Sequence, residues 1–274
     1  MSDGGEGPTP YAEVNALLGE LLEGARGVLG GQLVGAYLFG SLACGDFDRH
    51  SDIDVLFVTE GELTDETFSA LHAMHARLAA AGSHWATQLE VSYIPRDALR
   101  RHDPARAVHP HIDRGAGEEL RLRKHDEDWV VQRHTLRERG VTLAGPAPRA
   151  LIDPVSPDDL RQAMVSILWW PAEILEEPAR IQRRGYQSYI VLTMCRMLYT
   201  LRHGAVVSKR AAALWAEGEA GGLWAPLIER AWEGRGNPRV EARPEDVGGT
   251  LDLIRYTLER ARRHGASAPA ERET

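Results

Sequence analysis

Three acidic side chains and one small turn are the residues of this sequence whose types and spacing suit chemistry. Leu38-Phe39-Gly40-Ser41 is followed, after a short loop, by Ser51-Asp52-Ile53-Asp54-Val55-Leu56-Phe57-Val58. A glycine beside a serine lets backbone N–H groups approach an anion and adds a hydroxyl donor, which suits a triphosphate. Two aspartates one residue apart at the head of an apolar strand point to the same face, because side chains alternate across a strand. Two carboxylates about 5–7 Å apart repel each other unless a cation lies between them, and magnesium carried on a nucleotide meets that need. In Thr87-Gln88-Leu89-Glu90-Val91-Ser92-Tyr93, Leu89, Val91 and Tyr93 take one face and Glu90 takes the other. Glu90 is then placed to complete the metal shell or to accept the proton of an attacking hydroxyl. Asp-x-Asp alone reads as a solvated turn and Gly-Ser alone as nothing; it is their order on consecutive strands that favours the functional reading.

Something must hold these residues in place, and the surrounding pattern is α/β. Val14, Leu17, Leu18, Leu21, Leu22, Ala25, Val28 and Leu29 recur at helical spacing until Gly30-Gly31. Strands are predicted over 33–39, 53–59 and 88–94, with a helix over 68–80 between the last two. Past Pro146-Ala147-Pro148 and Asp153-Pro154 the pattern turns wholly helical. It begins with Ser156 as N-cap and Pro157 at the first helical position. Helices are predicted over 186–203, 209–216, 223–232 and about 244–264. The expected architecture is an α+β domain over 1–155, a mixed sheet with flanking helices, followed by an all-α helical bundle over 156–274. The Gly/Pro leader and the tail after Gly265 are expected to be mobile.

Composition excludes several classes. A net charge of -8 over 274 residues argues against a protein that binds phosphate backbones. No signal-peptide layout and no apolar run long enough for a bilayer are found, so no membrane and a cytoplasmic location are expected. Cys44 and Cys195 lack metal or disulfide spacing and read as buried bystanders. His109-Pro110-His111 with Asp113, and His125 among acidic residues, match no zinc spacing. Arg100-Arg101-His102 reads as a solvated patch. Glu173, Glu176 and Glu177 share a helix face that would attract a polycation or simply be solvated. Trp169, Trp170, Trp215, Trp224 and Trp232 are expected to be mostly core, with one or two lining a cleft. Lys209 in the first turn of a helix opposes the helix dipole by a few tenths of a kcal/mol, and an anion held there by Ser208, the free N–H groups and the ammonium reverses the sign.

The Gly-Ser and Asp-x-Asp segment resembles the polymerase-beta-like nucleotidyltransferases, and specifically the streptomycin/spectinomycin aminoglycoside adenylyltransferases. The likeness extends through Val141 to Pro146, Asp153-Pro154-Val155, Val191 to Arg196, and Ser208-Lys209 with the Ala-rich run to Trp215-Ala216. It implies a nucleotidyltransferase domain, a helical bundle, and a cleft between them for magnesium, ATP as co-substrate, and the antibiotic. It implies that Ser41 and Ser51 contact phosphates, Asp52 and Asp54 bind magnesium, and Glu90 is the base. It implies that Arg196 and Lys209 are basic nucleotide contacts, Trp232 a nearby aromatic, and Asp128 a supporting acid. The Trp169 to Tyr189 segment departs from the family's pattern, as does the stretch near Glu118-Glu119-Leu120, where a drug-contacting tryptophan is absent. The reaction implied is O-adenylylation of an aminoglycoside or aminocyclitol hydroxyl with release of pyrophosphate, by a monomer without a nucleic-acid partner. The rival readings are nucleotidyl transfer to another small molecule or a protein partner, and a nucleotide sensor without transfer.

Overall fold

The computed structural model describes residues 7–115 and 117–266; the first six residues of the leader and the tail from Ser267 lie outside them. The chain divides into two units, Met1–Pro154 and Val155–Thr274.

The first unit is built on a mixed six-stranded sheet in the order β5-β4-β3-β2-β1-β6. The strands are β1 Leu33–Leu38, β2 Ile53–Thr59, β3 Leu89–Pro95, β4 Val108–Ile112, β5 Arg121–Lys124 and β6 Val141–Ala144. Only β2 and β3 pair in parallel; β1 pairs antiparallel with β2 and β6, and β4 with β3 and β5. Parallel neighbours need a crossover, and the crossover is α3, Asp65–Ala80, whose N-cap Thr64 accepts the Thr67 N–H. The helix α1, Ala12–Leu29, buries Val14, Leu17, Leu18, Leu21 and Ala25, the stripe its spacing predicts. With α3 it covers one sheet face, where Ile53, Val55, Phe57, Leu89, Val91 and Tyr93 are buried. Phe57 and Tyr93 stack at 5.1 Å, and each such side chain contributes roughly 1.5–3 kcal/mol when fully buried.

The other face carries α2 Gly40–Cys44, α4 Arg96–Arg100, α5 Trp129–Arg139 and α6 Pro148–Leu151. Its core is Tyr37, Phe39, Leu56, Val58, Ile94, Leu99, Trp129 and Leu136. Arg133 of α5 is buried and donates to the carbonyls of Leu99, Ala98 and Trp129. Arg100 and Arg101 are exposed, as expected of a solvated patch, and pair there with Asp153 at 2.9 and 2.5 Å. Cys195 is buried as expected, whereas Cys44 is only half-buried, because α2 lies at the sheet's end rather than within the core.

Histidines make up part of this core. The His125 ring stacks on Trp129 at 3.6 Å, and His109 lies 5.1 Å from His125. Among the described residues, no hydrogen-bond partner satisfies the ring nitrogens of His109 or His125. Burial pushes His109 and His75 down to about 4, and pushes His125 down too. The unfolded chain protonates all three near 6.5 while the folded chain does not, so stability falls as pH drops from 6.5 toward 4. Each histidine contributes on the order of 1.4 kcal/mol per pH unit to that slope. Asp128, raised to about 6 by burial and by Asp126, binds its proton in the folded state first and offsets one of them. Urea unfolding at stepped pH is expected to give a midpoint that falls steeply over this window; a flat profile contradicts the buried-neutral assignment.

The second unit is helical: α7 Pro157–Ser166, α8 Trp169–Glu176, α9 Arg184–His203, α10 Lys209–Gly218, α11 Ala225–Gly234 and α12 Pro244–Ala266. Ser156 starts α7 with a capping box closed by Asp159, and Gly204 ends α9 at φ 60°. The helix α9 is the hub, with α7, α10, α11 and α12 packed around it, and it buries Ile190, Val191, Met194, Cys195, Met197 and Leu198. The expectation that most tryptophans of this half are core is overturned. Trp224 is buried, Trp169 is 51% exposed, and Trp170, Trp215 and Trp232 are half-buried. Aliphatic side chains and alanines fill the interior around α9, which leaves the indoles to the rims of the helices. Glu177 falls just past α8, so it does not continue the face of Glu173 and Glu176. No helix among the described residues is long and apolar enough to cross a membrane.

Candidate active site

The parallel pairing of β2 and β3 does the first part of the work. Asp54 is the register partner of Glu90, and neighbouring partners in a sheet direct their side chains to one face. Both lie at the starts of their strands, at the same sheet end. The Phe39 N–H donates to the Asp54 carbonyl at 3.1 Å, which fastens the end of β1 beside them. There the chain turns at Gly40, whose φ of 62° lies in the left-handed region. A Cβ on Gly40 would overlap Asp54 Oδ2 and lie 2.6 Å from its Cγ, so the Asp54 carboxylate occupies the space that a side chain would fill. Gly40 opens the five-residue helix α2 rather than an open loop. Ser41 Oγ is buried with no hydrogen-bond partner. An orphaned hydroxyl beside a carboxylate pair is chemically suited to a phosphate oxygen.

The other predicted residues of this unit are placed differently. Asp52 precedes β2 by one residue, and its carboxylate is ion-paired with Arg114. The Ser51 hydroxyl donates to Asp48 Oδ1 at 3.1 Å and accepts the Asp48 N–H at 3.0 Å, closing the turn before β2. That hydrogen bonding makes Ser51 a support for Asp52. Asp128 stands at the start of α5 without capping it. It is half-buried, and its field acts on the buried Arg133 of that helix.

Two neighbours of the carboxylates escaped the sequence reading. Ser92 pairs in register with His111 of β4, and Ser92 Oγ lies 2.7 Å from His111 Nδ1. The His111 Nε2 faces Asp113 Oδ1 at 3.4 Å and Glu90 Oε1 at 4.0 Å. Burial and the charges of Arg123 and Arg121 push His111 down to about 3, so the ring is neutral at neutral pH. With carboxylates on the Nε2 side, the hydrogen belongs on Nε2 and Nδ1 accepts from Ser92. The second neighbour is Arg114, in the loop after β4. The alternation His109-x-His111-x-Asp113 was the available signal for a strand here, broken to the eye by Pro110.

Among the described residues, no group of three His, Cys, Asp or Glu side chains stands ready to hold a metal ion. Asp52 is drawn to Arg114 instead of converging with Asp54 and Glu90. Magnesium seldom has an all-protein cage; one or two carboxylates with substrate phosphates suffice. The hard oxygen donors at this strand end, the space Gly40 leaves for Asp54 and the unpartnered Ser41 hydroxyl fit a divalent cation that arrives on a nucleotide.

In the helical unit, Lys209 is the first residue of α10, where Ser208 caps by accepting the Ala211 N–H at 3.2 Å. Arg196 lies on α9 with its Nε buried and unpartnered. Trp232 of α11 carries Arg210 at 4.8 Å and Arg235 at 4.5 Å from its ring centre. An adenine stacking on that indole would have to displace a guanidinium.

Residues 27–111 match the family described as "Nucleotidyltransferase domain", and residues 150–259 match "Aminoglycoside adenylyltransferase, C-terminal domain". A spectinomycin 9-adenylyltransferase of Staphylococcus aureus is 27% identical, with 72% of this chain and 75% of that protein aligned. An aminoglycoside (3'') (9) adenylyltransferase of Escherichia coli is 26% identical over 86% of this chain and 91% of that one. The crystal structure of a spectinomycin adenyltransferase from Enterococcus faecialis, with ATP and spectinomycin, shares the fold. Its TM-score is 0.65 at 18% identity, covering 90% of this chain and 98% of that one.

Proposed function

We propose that the chain is a member of the aminoglycoside adenylyltransferase family and that it adenylylates a hydroxyl of an aminoglycoside or aminocyclitol antibiotic, using ATP and magnesium and releasing pyrophosphate. The observation that carries this reading is the register pair of Asp54 and Glu90 beside Gly40, with Asp52 at the same strand end.

In this reading Asp52 and Asp54 hold the cation. The chemistry a bound magnesium supplies is neutralisation of charge at the α- and β-phosphates. Ser41 offers its orphaned hydroxyl to a phosphate oxygen. Arg196 and Lys209 are the basic contacts assigned to the triphosphate, and Trp232 the aromatic assigned to its base. Glu90 takes the proton from the acceptor hydroxyl as that oxygen attacks the α-phosphorus and the bond to pyrophosphate breaks. His111, neutral and held by Ser92, keeps the carboxylate environment fixed without adding a charge. The acidic Glu173 and Glu176 on α8 are suited to a cationic drug.

Incubation of the purified protein with magnesium-ATP and a panel of aminoglycosides and aminocyclitols, following pyrophosphate, tests this. Drug-dependent release that chelation of the metal abolishes is the expected result. No release with any drug overturns the assignment.

A further inference from the structure

Arg114 occupies the carboxylate that the proposed reaction needs for its cation. Its Nη1 is ion-paired with Asp52 Oδ1 and donates to the His50 carbonyl at 3.4 Å. Other basic residues on the same hairpin are anchored elsewhere: Arg121 and Arg123 on Asp113, and Lys124 on Asp126. The Arg114 side chain is 47% exposed, so it can change partners without opening the core. Its backbone stays in place when the side chain moves, because the next residue, Gly115, donates its N–H to the Thr87 carbonyl at 2.9 Å, just ahead of β3.

We propose that Arg114 is the resident countercharge of Asp52 and a phosphate ligand of the loaded site, exchanging one role for the other when the metal-bearing nucleotide enters. The proposal rests on the reading of Asp52 as a ligand of that metal. Asp52 sits one residue from Asp54, whose register partner is Glu90, and a cation near Asp52 offsets the repulsion among like charges. A guanidinium can do this in the absence of metal. Magnesium, however, requires direct oxygen coordination at short range. A divalent cation on Asp52 takes over the neutralisation of its charge and repels the guanidinium, which weakens the hold of Asp52 on Arg114. The anion then within reach of the displaced guanidinium is the triphosphate on that same metal, and the planar fork of arginine suits phosphate oxygens.

Three titrations of the full chain test this, each with wild type, Arg114→Gln and Arg114→Lys: manganese alone by electron paramagnetic resonance, ATP in excess chelator by calorimetry, and magnesium-ATP by calorimetry. Arg114→Gln is expected to bind manganese about tenfold tighter, having lost the competitor, and metal-free ATP about tenfold weaker, having lost the ligand. Arg114→Lys, which keeps the charge, is expected to recover most of the metal-free ATP affinity. If Arg114→Gln matches wild type in either the manganese or the metal-free ATP titration, the proposal is overturned. If wild type itself fails to bind magnesium-ATP, the underlying reading of Asp52 falls and takes the proposal with it.

Discussion

Glu90→Gln is expected to bind magnesium-ATP as wild type does and to lose turnover by about 10²–10⁴-fold, the usual contribution of a positioned general base. The substitution keeps shape and hydrogen-bonding capacity but removes the ability to hold a proton at neutral pH. Glu90 pairs in register with Asp54, so it stands where an acceptor hydroxyl would meet a nucleotide held by the aspartates. His111 Nε2, 4.0 Å away, and Ser92 behind it are unchanged by the substitution, so the surrounding geometry is retained. Calorimetry for nucleotide affinity and steady-state kinetics for kcat separate the two effects. Normal turnover by the glutamine variant removes Glu90 as the base; loss of nucleotide binding makes it chiefly a metal ligand.

Gly40→Ala is expected to lower kcat/KM by about 10²-fold or more, the scale of an ångström-sized displacement of a reacting group. Two physical effects act together. The backbone φ of 62° costs a residue with a Cβ about 1–2 kcal/mol. The methyl group also overlaps the Asp54 carboxylate, and relief requires moving either that side chain or the end of β1. Thermal unfolding measures the first effect and metal-dependent nucleotide affinity the second. A variant with wild-type affinity and turnover would show that Asp54 need not sit against Gly40.

The part of the site carried by β1, β2 and β3 was legible because it is local. Asp54 and Glu90 are polar interruptions of apolar strands, and alternation assigns their faces without knowledge of the fold; Asp52, one residue ahead of β2, falls outside that alternation. Several helices were legible for similar reasons: a continuous stripe in α1, Ser156 and Pro157 at the start of α7, Gly204 at the end of α9; the shorter α2, α4 and α6, and α5 with its many charged residues, were not. The strands β4, β5 and β6 were not. β4 carries Pro110 between two histidines, β5 is exposed at all of its residues, and β6 is four residues long. Short edge strands take their conformation from the neighbour they pair with, so their own sequence says little. With β4 unread, His111 could not be set beside Ser92, nor Arg114 beside Asp52. The hydrogen bonds of Ser51 to Asp48 were not legible either, since a turn of this kind leaves no periodic signal.

The charge balance of the site follows from the same topology. The register pair Asp54 and Glu90 gathers negative charge at one end of the sheet, with Asp52 just ahead of it, and the β4–β5 hairpin supplies a guanidinium and a neutral imidazole. In the proposed reading such a site gains most from a ligand that brings both a divalent cation and phosphate oxygens, since the carboxylates would take the one and Arg114 and Ser41 the other.

Transfer of an adenylyl group to an antibiotic hydroxyl would be seen in the mass spectrum of the drug after incubation with the protein, ATP and magnesium. A product heavier than the drug by one AMP residue, formed by wild type and not by Asp54→Asn, is the predicted result. Drug recovered unmodified across spectinomycin, streptomycin and related compounds, while the protein binds magnesium-ATP, would contradict it.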